Sequence, residues 1–168
     1  FFFKQKTAYE IVDCDWSSDV CSSDLEMSYS EKLREHAKQL GRDVSIALIG
    51  AGQMGRGFGN QVHRMPGLSV NLVVDIDETR IRELFKDLGI TDVKITNVAK
   101  EIDAALKEGK AVGATTSEFV HEIAGIDFVV ECTGVPDIGA RITYNSLEAG
   151  KDVAVLNVEM DEIGRAHV

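Results

Sequence analysis

The segment VSIALIGAGQMG, Val44 to Gly55, decides the fold. Its first half, VSIALI, is short, apolar and rich in β-branched residues, the composition of a strand buried on both faces. Its second half, Gly50-Ala51-Gly52-Gln53-Met54-Gly55, reads G-x-G-x-x-G and opens a stretch of helix formers that Pro66-Gly67 ends. Such a hexapeptide is a weak signal when it stands alone. Between a buried strand and a helix it has a mechanism. Gly50 permits the tight turn, Gly52 lets the backbone approach a pyrophosphate, and Gly55 lets helix pack on strand. The free N–H groups at the helix start, those of Gln53 and Met54 included, then face the phosphates together with the positive end of the helix dipole. The plainer alternative is a glycine-rich turn without a ligand.

A second element supports the ligand. LSVNLVVDID, Leu68 to Asp77, reads as the next strand, and Asp75 falls at its end, some 25 residues beyond Gly50. A carboxylate there accepts both ribose hydroxyls of an adenosine and repels a 2′-phosphate, which favours NAD and leaves NADP open. The alternative is a solvated strand-end carboxylate. Asp77 is better explained as the N-cap of the following helix. Arg56, a cation in a helix's first turn, opposes the dipole; it is either a pyrophosphate contact or, more simply, a surface arginine.

Further along the chain, apolar runs alternate with amphipathic ones. Ser28-Tyr29-Ser30-Glu31 fits a capping box for a helix that Gly41 stops. Helices are expected at Gln53–Arg64, Glu78–Leu88 and Val98–Glu108, from a cap at Thr116 or Ser117 to Ala124, and at Ile138–Ala149. Strands are expected at Val44–Gly50, Leu68–Asp77, Val93–Ile95, Ala111–Thr115, Ile126–Gly134 and Asp152–Asn157. Apolar strands separated by helices of 10–15 residues mark βαβ units. The fold class is therefore α/β, a Rossmann-type doubly wound parallel sheet.

Glu131, Thr133 and Gly134 end a central strand, at the edge where such sheets bind ligands. Thr133-Gly134 either lines the nicotinamide side of the cofactor or is a plain strand-exit turn. Asn157 and Glu159 follow the last strand at the same rim and are candidates for the substrate side. His36, His63 and His121 share no metal spacing and suit surface or packing roles, so no metal site is expected. Cys132 is expected to be a packed thiol.

The net charge of −10 argues against nucleic acid and anionic membrane as partners. No apolar run approaches a membrane span, and the start FFFKQKTAYE lacks a signal peptide's apolar core. With three cysteines in no paired pattern, the expectation is a reduced, cytoplasmic chain.

The termini read differently from the rest. Lys4 to Ile11, KQKTAYEI, and Asp15 to Leu25, DWSSDVCSSDL, are translations of an indexed adapter from a short-read sequencing library. Val12, Asp13 and Cys14 fall where the variable index lies, and Ile163 to Val168, IGRAHV, translates the adapter of the other end. Residues 1–25 and 163–168 are therefore expected to be adapter-derived, disordered tails. Between them lie an N-terminal helix at 26–43 and a cofactor-binding domain at 44–162, cut off before a substrate domain. Without the tails, 15 basic against 23 acidic side chains leave −8, and Cys132 is the one remaining cysteine.

IALIGAGQMGRG, VVECTGVPDIGA and LEAGKDVAVLNVEMD together resemble the amino-terminal half of homoserine dehydrogenase-like oxidoreductases, in particular the subgroup with a C-terminal SAF domain. The resemblance covers Val44 to Asp161. It implies an NAD(P)-dependent dehydrogenase that passes hydride between nicotinamide and a small hydroxy or oxo compound. It also implies a substrate-binding and dimerisation half after Asp161, a homo-oligomeric parent, and an inactive fragment as it stands. True homoserine dehydrogenases carry Asn-Lys after the last strand, the lysine serving the catalytic site; here Val158 follows Asn157. The SAF-type subgroup lacks that lysine too, and its NAELD-like motif resembles Asn157 to Asp161. That puts homoserine itself in doubt as the substrate and leaves the catalytic residues unassigned. Two other classes stay open, a regulatory nucleotide-sensing module without catalysis and, more weakly, a methyltransferase.

Overall fold

The computed structural model describes residues 29–160. The two tails read as adapter-derived lie outside the described residues. Six strands alternate with helices: β1 (Val44–Ile49), β2 (Leu68–Val74), β3 (Val93–Ile95), β4 (Ala111–Ala114), β5 (Phe128–Glu131) and β6 (Asp152–Val155). The helices are α1 (Tyr29–Leu40), α2 (Gln53–Val62), α3 (Glu78–Asp87), α4 (Ala99–Lys107) and α5 (Pro136–Glu148).

All strand pairs are parallel and the sheet order is β3-β4-β2-β1-β5-β6. This is the expected doubly wound Rossmann-type α/β sheet. β1 lies inside it, and alternation of its side chains splits the core in two. Ile46 and Leu48 join Val62, Val73, Leu84 and Phe85 on one face. Ala47 and Ile49 join Leu72, Ile102, Val112, Ile123 and Val129 on the other. Burial on both faces is why VSIALI reads as continuous apolar sequence rather than an alternation. The edge strands β3 and β6 are short and only partly buried, which limits the backbone left unpaired at each edge.

Two local expectations needed correction, and one irregularity had no counterpart in the sequence reading. The helix expected from Thr116 or Ser117 to Ala124 is a single 3₁₀ turn, Val120–Glu122. Val120, Ile123 and Ile126 are all buried, and their spacing of three matches the 3₁₀ period better than 3.6. The last helix begins at Pro136, not Ile138, because proline's missing N–H costs nothing in a first turn. β2 carries a bulge, with Ile46 paired to Val70 but Ala47 to Leu72. Asn71, the residue passed over, donates to the Ser45 hydroxyl instead (2.9 Å). Among the described residues no helix is long and apolar enough to cross a membrane.

The chain builds the sheet outward from β1 through β2 to the β3 edge, then returns to place β5 on the other side of β1. That reversal leaves a crevice at the carboxyl ends of β1 and β5, the usual ligand position in open α/β sheets.

Candidate dinucleotide site

Gly50 turns the chain out of β1 with φ of +99°. A Cβ there would sit 2.7 Å from the carbonyl oxygen of Cys132, on the exit of β5. Only glycine combines that dihedral with that approach. Gly55 is held still more tightly, since its Cβ would lie 1.9 Å from the Gly50 carbonyl oxygen. Its role is to seat the first turn of α2 on the loop. Gly52 differs, with nothing within 4 Å of a Cβ built on it. The space it leaves opens toward the crevice, whereas Gly55 is consumed by packing.

α2 starts at Gln53 without a side-chain cap. First-turn N–H groups have no intrahelical acceptor, and those of Gly52, Gln53 and Met54 find none among the described residues. The Ala51 N–H is different, donating to Asp75 Oδ2 (2.7 Å). Asp75 Oδ1 accepts the Asp77 N–H (2.9 Å). An ionised carboxylate has about four acceptor positions, so the half-buried Asp75 keeps two for a ligand while the other two fix its orientation. Asp77 caps α3 by accepting the Thr79 N–H (2.9 Å), as its position after β2 suggests.

Gly50, Gly52, Asp75, Cys132 and Thr133 line one cleft of about 390 Å³, a size suited to a small-molecule site. Its walls are apolar at Ile49, Val74, Val120, Ile138 and Ile142, and polar at Arg80, Thr115, Ser117, His121, Arg141 and Asn145. The polar group is what sequence reasoning missed. These residues come from α3, the β4 exit, the 3₁₀ turn and α5, and only the strand order brings them together. No local motif marks them. His121 was read as a surface or packing residue; it is half-buried and lies in the cleft wall.

The remaining candidates fall around the cleft. Gln53 and Met54 are exposed at the start of α2 and lie outside the cleft lining to which Gly50 and Gly52 belong. Gly134 is exposed, with φ of +67°. Glu159 is exposed, whereas Asn157 is buried beneath the rim, its Oδ1 accepting the Met160 N–H (3.3 Å). Arg56 pairs with Glu83 (3.0 Å) and Asp87 (2.5 Å) on α3. These bonds hold its guanidinium against α3. Cys132 is half-buried, and burial, together with the neighbouring Glu131 charge, pushes its thiol up to about 12. A thiol protonated at neutral pH is a poor nucleophile. Among the described residues no three His, Cys, Asp or Glu side chains converge on a possible metal position.

Comparison with known proteins gives the fold and nothing finer. No protein-family model matches the chain, and no curated protein matches it either. Solved structures do. The myo-inositol dehydrogenase of Lactobacillus casei, in complex with NAD(H) and myo-inositol, matches with a TM-score of 0.50 and 18% identity, over 67% of this chain and 28% of that one. The scyllo-inositol dehydrogenase of Lactobacillus casei, with bound NAD(H) and scyllo-inositol, gives 0.47 and 15%, over 68% and 30%. An oxidoreductase domain protein from Kribbella flavida gives 0.45 and 23%, over 67% and 26%. The chain thus spans less than a third of the length of each. At these identities the likeness is one of fold.

Proposed function

We propose that residues 44–162 are the cofactor-binding domain of an NAD(P)-dependent dehydrogenase of the homoserine dehydrogenase-like, SAF-domain type. The parent enzyme passes hydride between nicotinamide and a small hydroxy or oxo substrate held by a further domain. One observation carries the reading: the Ala51 N–H donates to Asp75, tying the glycine loop to the end of β2 beside a cleft that Gly50, Gly52, Asp75 and Thr133 line.

Each part of the dinucleotide has a fitting partner. The N–H groups of Gly52, Gln53 and Met54 receive the pyrophosphate, with Gly52 leaving room for it. The two spare acceptor positions of Asp75 receive the ribose hydroxyls of the adenosine and disfavour a 2′-phosphate. Asp75 would thus hold the adenosine on the β2 side, and Thr133-Gly134 would border the nicotinamide across the reversal. When bound, the nicotinamide supplies a hydride acceptor or donor; this chain's residues orient it and shield one side of it with the cleft wall. That a Lactobacillus casei dehydrogenase of this fold has NAD(H) bound supports the assignment. So does the resemblance of VVECTGVPDIGA and GKDVAVLN to the homoserine dehydrogenase-like sequences.

The test is equilibrium titration of the 168-residue chain with NADH, NADPH and S-adenosylmethionine, followed by nicotinamide fluorescence and calorimetry. Saturable binding of NADH, weaker binding of NADPH and none of S-adenosylmethionine are expected. Preference for S-adenosylmethionine overturns the reading in favour of a methyltransferase.

A further inference from the structure

Glu131 is the most deeply buried ionisable group among the described residues, with 0% of its surface exposed. Its Oε1 accepts the Thr133 N–H (2.7 Å) and the Thr133 hydroxyl. That hydroxyl in turn accepts the Val135 N–H (3.2 Å), at the N-cap of α5. One carboxylate oxygen therefore shapes the whole exit of β5. The other, Oε2, has no partner, and neither has the amide nitrogen of buried Asn157.

The two orphans are neighbours. A Cβ built on Gly139 would stand 2.7 Å from Glu131 Oε2 and 2.8 Å from Asn157 Nδ2, so the two atoms are at most about 5.5 Å apart. One is an acceptor and the other a donor, across a gap that α5 keeps open by having glycine there. Buried polar groups are rarely left unpaired, and this donor and acceptor are complementary in kind and placed side by side.

We propose that Glu131, with Asn157 as its complement, is the positioning residue for the nicotinamide half of the dinucleotide. It acts through the Thr133-Gly134 turn and touches no ligand itself. This rests on the cofactor assignment above. The adenosine half, on the far side of β1 at Asp75, is independent of it.

The test measures dissociation constants of NADH and of ADP-ribose, which lacks the nicotinamide, for the 168-residue chain and three variants. Glu131→Leu removes the anchor and leaves the Thr133 N–H without its acceptor, so the melting temperature of each variant is recorded beside its affinities. Glu131→Gln preserves shape and one acceptor. Gly139→Ala presses on Oε2 from outside the turn. Expected are roughly tenfold weaker NADH binding for Glu131→Leu and Gly139→Ala, partial rescue in Glu131→Gln, and ADP-ribose binding within twofold of the parent in all three. Equal losses for the two ligands, or no loss of NADH binding in Gly139→Ala and Glu131→Leu, overturn the proposal. If the unsubstituted chain binds neither ligand, it is the cofactor assignment that falls, and this inference with it.

Discussion

The two ends of the same parallel sheet are built on opposite principles. At the amino ends of the strands the polar groups close on one another. Arg42 grips Asp127 with two bonds (2.5 and 2.8 Å), and Asp127 also accepts the Ser45 N–H (2.8 Å). Ser69, Asn71 and Ser45 form a chain of hydrogen bonds, and Lys151 donates to the carbonyls of Ile123 (2.7 Å) and Ile126 (2.8 Å). At the carboxyl ends the N–H groups of Gly52, Gln53 and Met54 stay unclaimed among the described residues, Asp75 has spare acceptors, and Glu131 and Asn157 each keep an unpaired atom. A saturated rim has nothing to offer a ligand. An unsaturated one is stabilised by what it binds, and the contrast is consistent with a site at that end without appeal to any motif.

Substitutions separate the two rims. The largest effect is expected at Gly55→Ala, because a methyl 1.9 Å from the Gly50 carbonyl forces the loop away from the helix. A loss of about 3 kcal/mol or more in urea unfolding, with NADH binding abolished, is the expected outcome. An unchanged urea midpoint would break the account of the loop. Next comes Asp75→Ala. Loss of a charge-assisted pair of ribose contacts weakens NADH binding about tenfold or more and narrows the gap to NADPH, and the melting temperature falls as well, because the buried Ala51 N–H loses its acceptor. Titration of both nucleotides checks this.

At the closed rim the effect falls on stability alone. Asp127→Asn is expected to cost about 1 kcal/mol, since half-exposed Arg42 screens part of the interaction, and to leave nucleotide binding unchanged. The hydrogen bond from Arg42 holds the Asp127 carboxyl below its ordinary value, with help from the Ser45 N–H. A depressed folded value means that the stabilisation is complete above the ordinary carboxylate range, about pH 4. It is lost as pH falls through the folded value. The stability of parent and variant should therefore converge on acidification below pH 4, and a difference that persists there counts against the pair.

Cys132 sharpens the contrast from the other side. Its raised thiol value, about 12, leaves roughly one part in ten thousand as thiolate at pH 8. Alkylation by iodoacetamide should be slow in the native chain and fast in urea, as mass spectrometry of residue 132 would show. The smallest effect is expected at Gly57→Ala. This glycine sits in α2 with nothing near a Cβ, so alanine should stabilise the chain by about 0.5–1 kcal/mol with binding unaltered.

Much of the open rim was legible in the chain. Gly50, Gly52 and Asp75 stand at spacings whose chemistry requires those residues, and α/β alternation follows from apolar runs divided by amphipathic ones. The segment after β4 misled because a capping residue followed by mixed sequence fits a short helix and a 3₁₀ turn equally well. Burial of Val120, Ile123 and Ile126 chose between them. The bulge at Asn71 was invisible for a similar reason: a polar residue inside a strand becomes informative only once its partner, Ser45 on β1, is known.

Local sequence alone thus determined which segments extend, which coil, and where the backbone must turn tightly out of β1, since these depend on neighbours three or four residues away. The tertiary structure decided the rest. Strand order placed β5 beside β1 and so brought Gly50 against Cys132. It gathered Arg80, His121, Arg141 and Asn145 around one cleft, and it set Glu131 and Asn157 on either side of Gly139. These are contacts between residues far apart in the chain, held by burial on both faces of a sheet, and no local pattern encodes them.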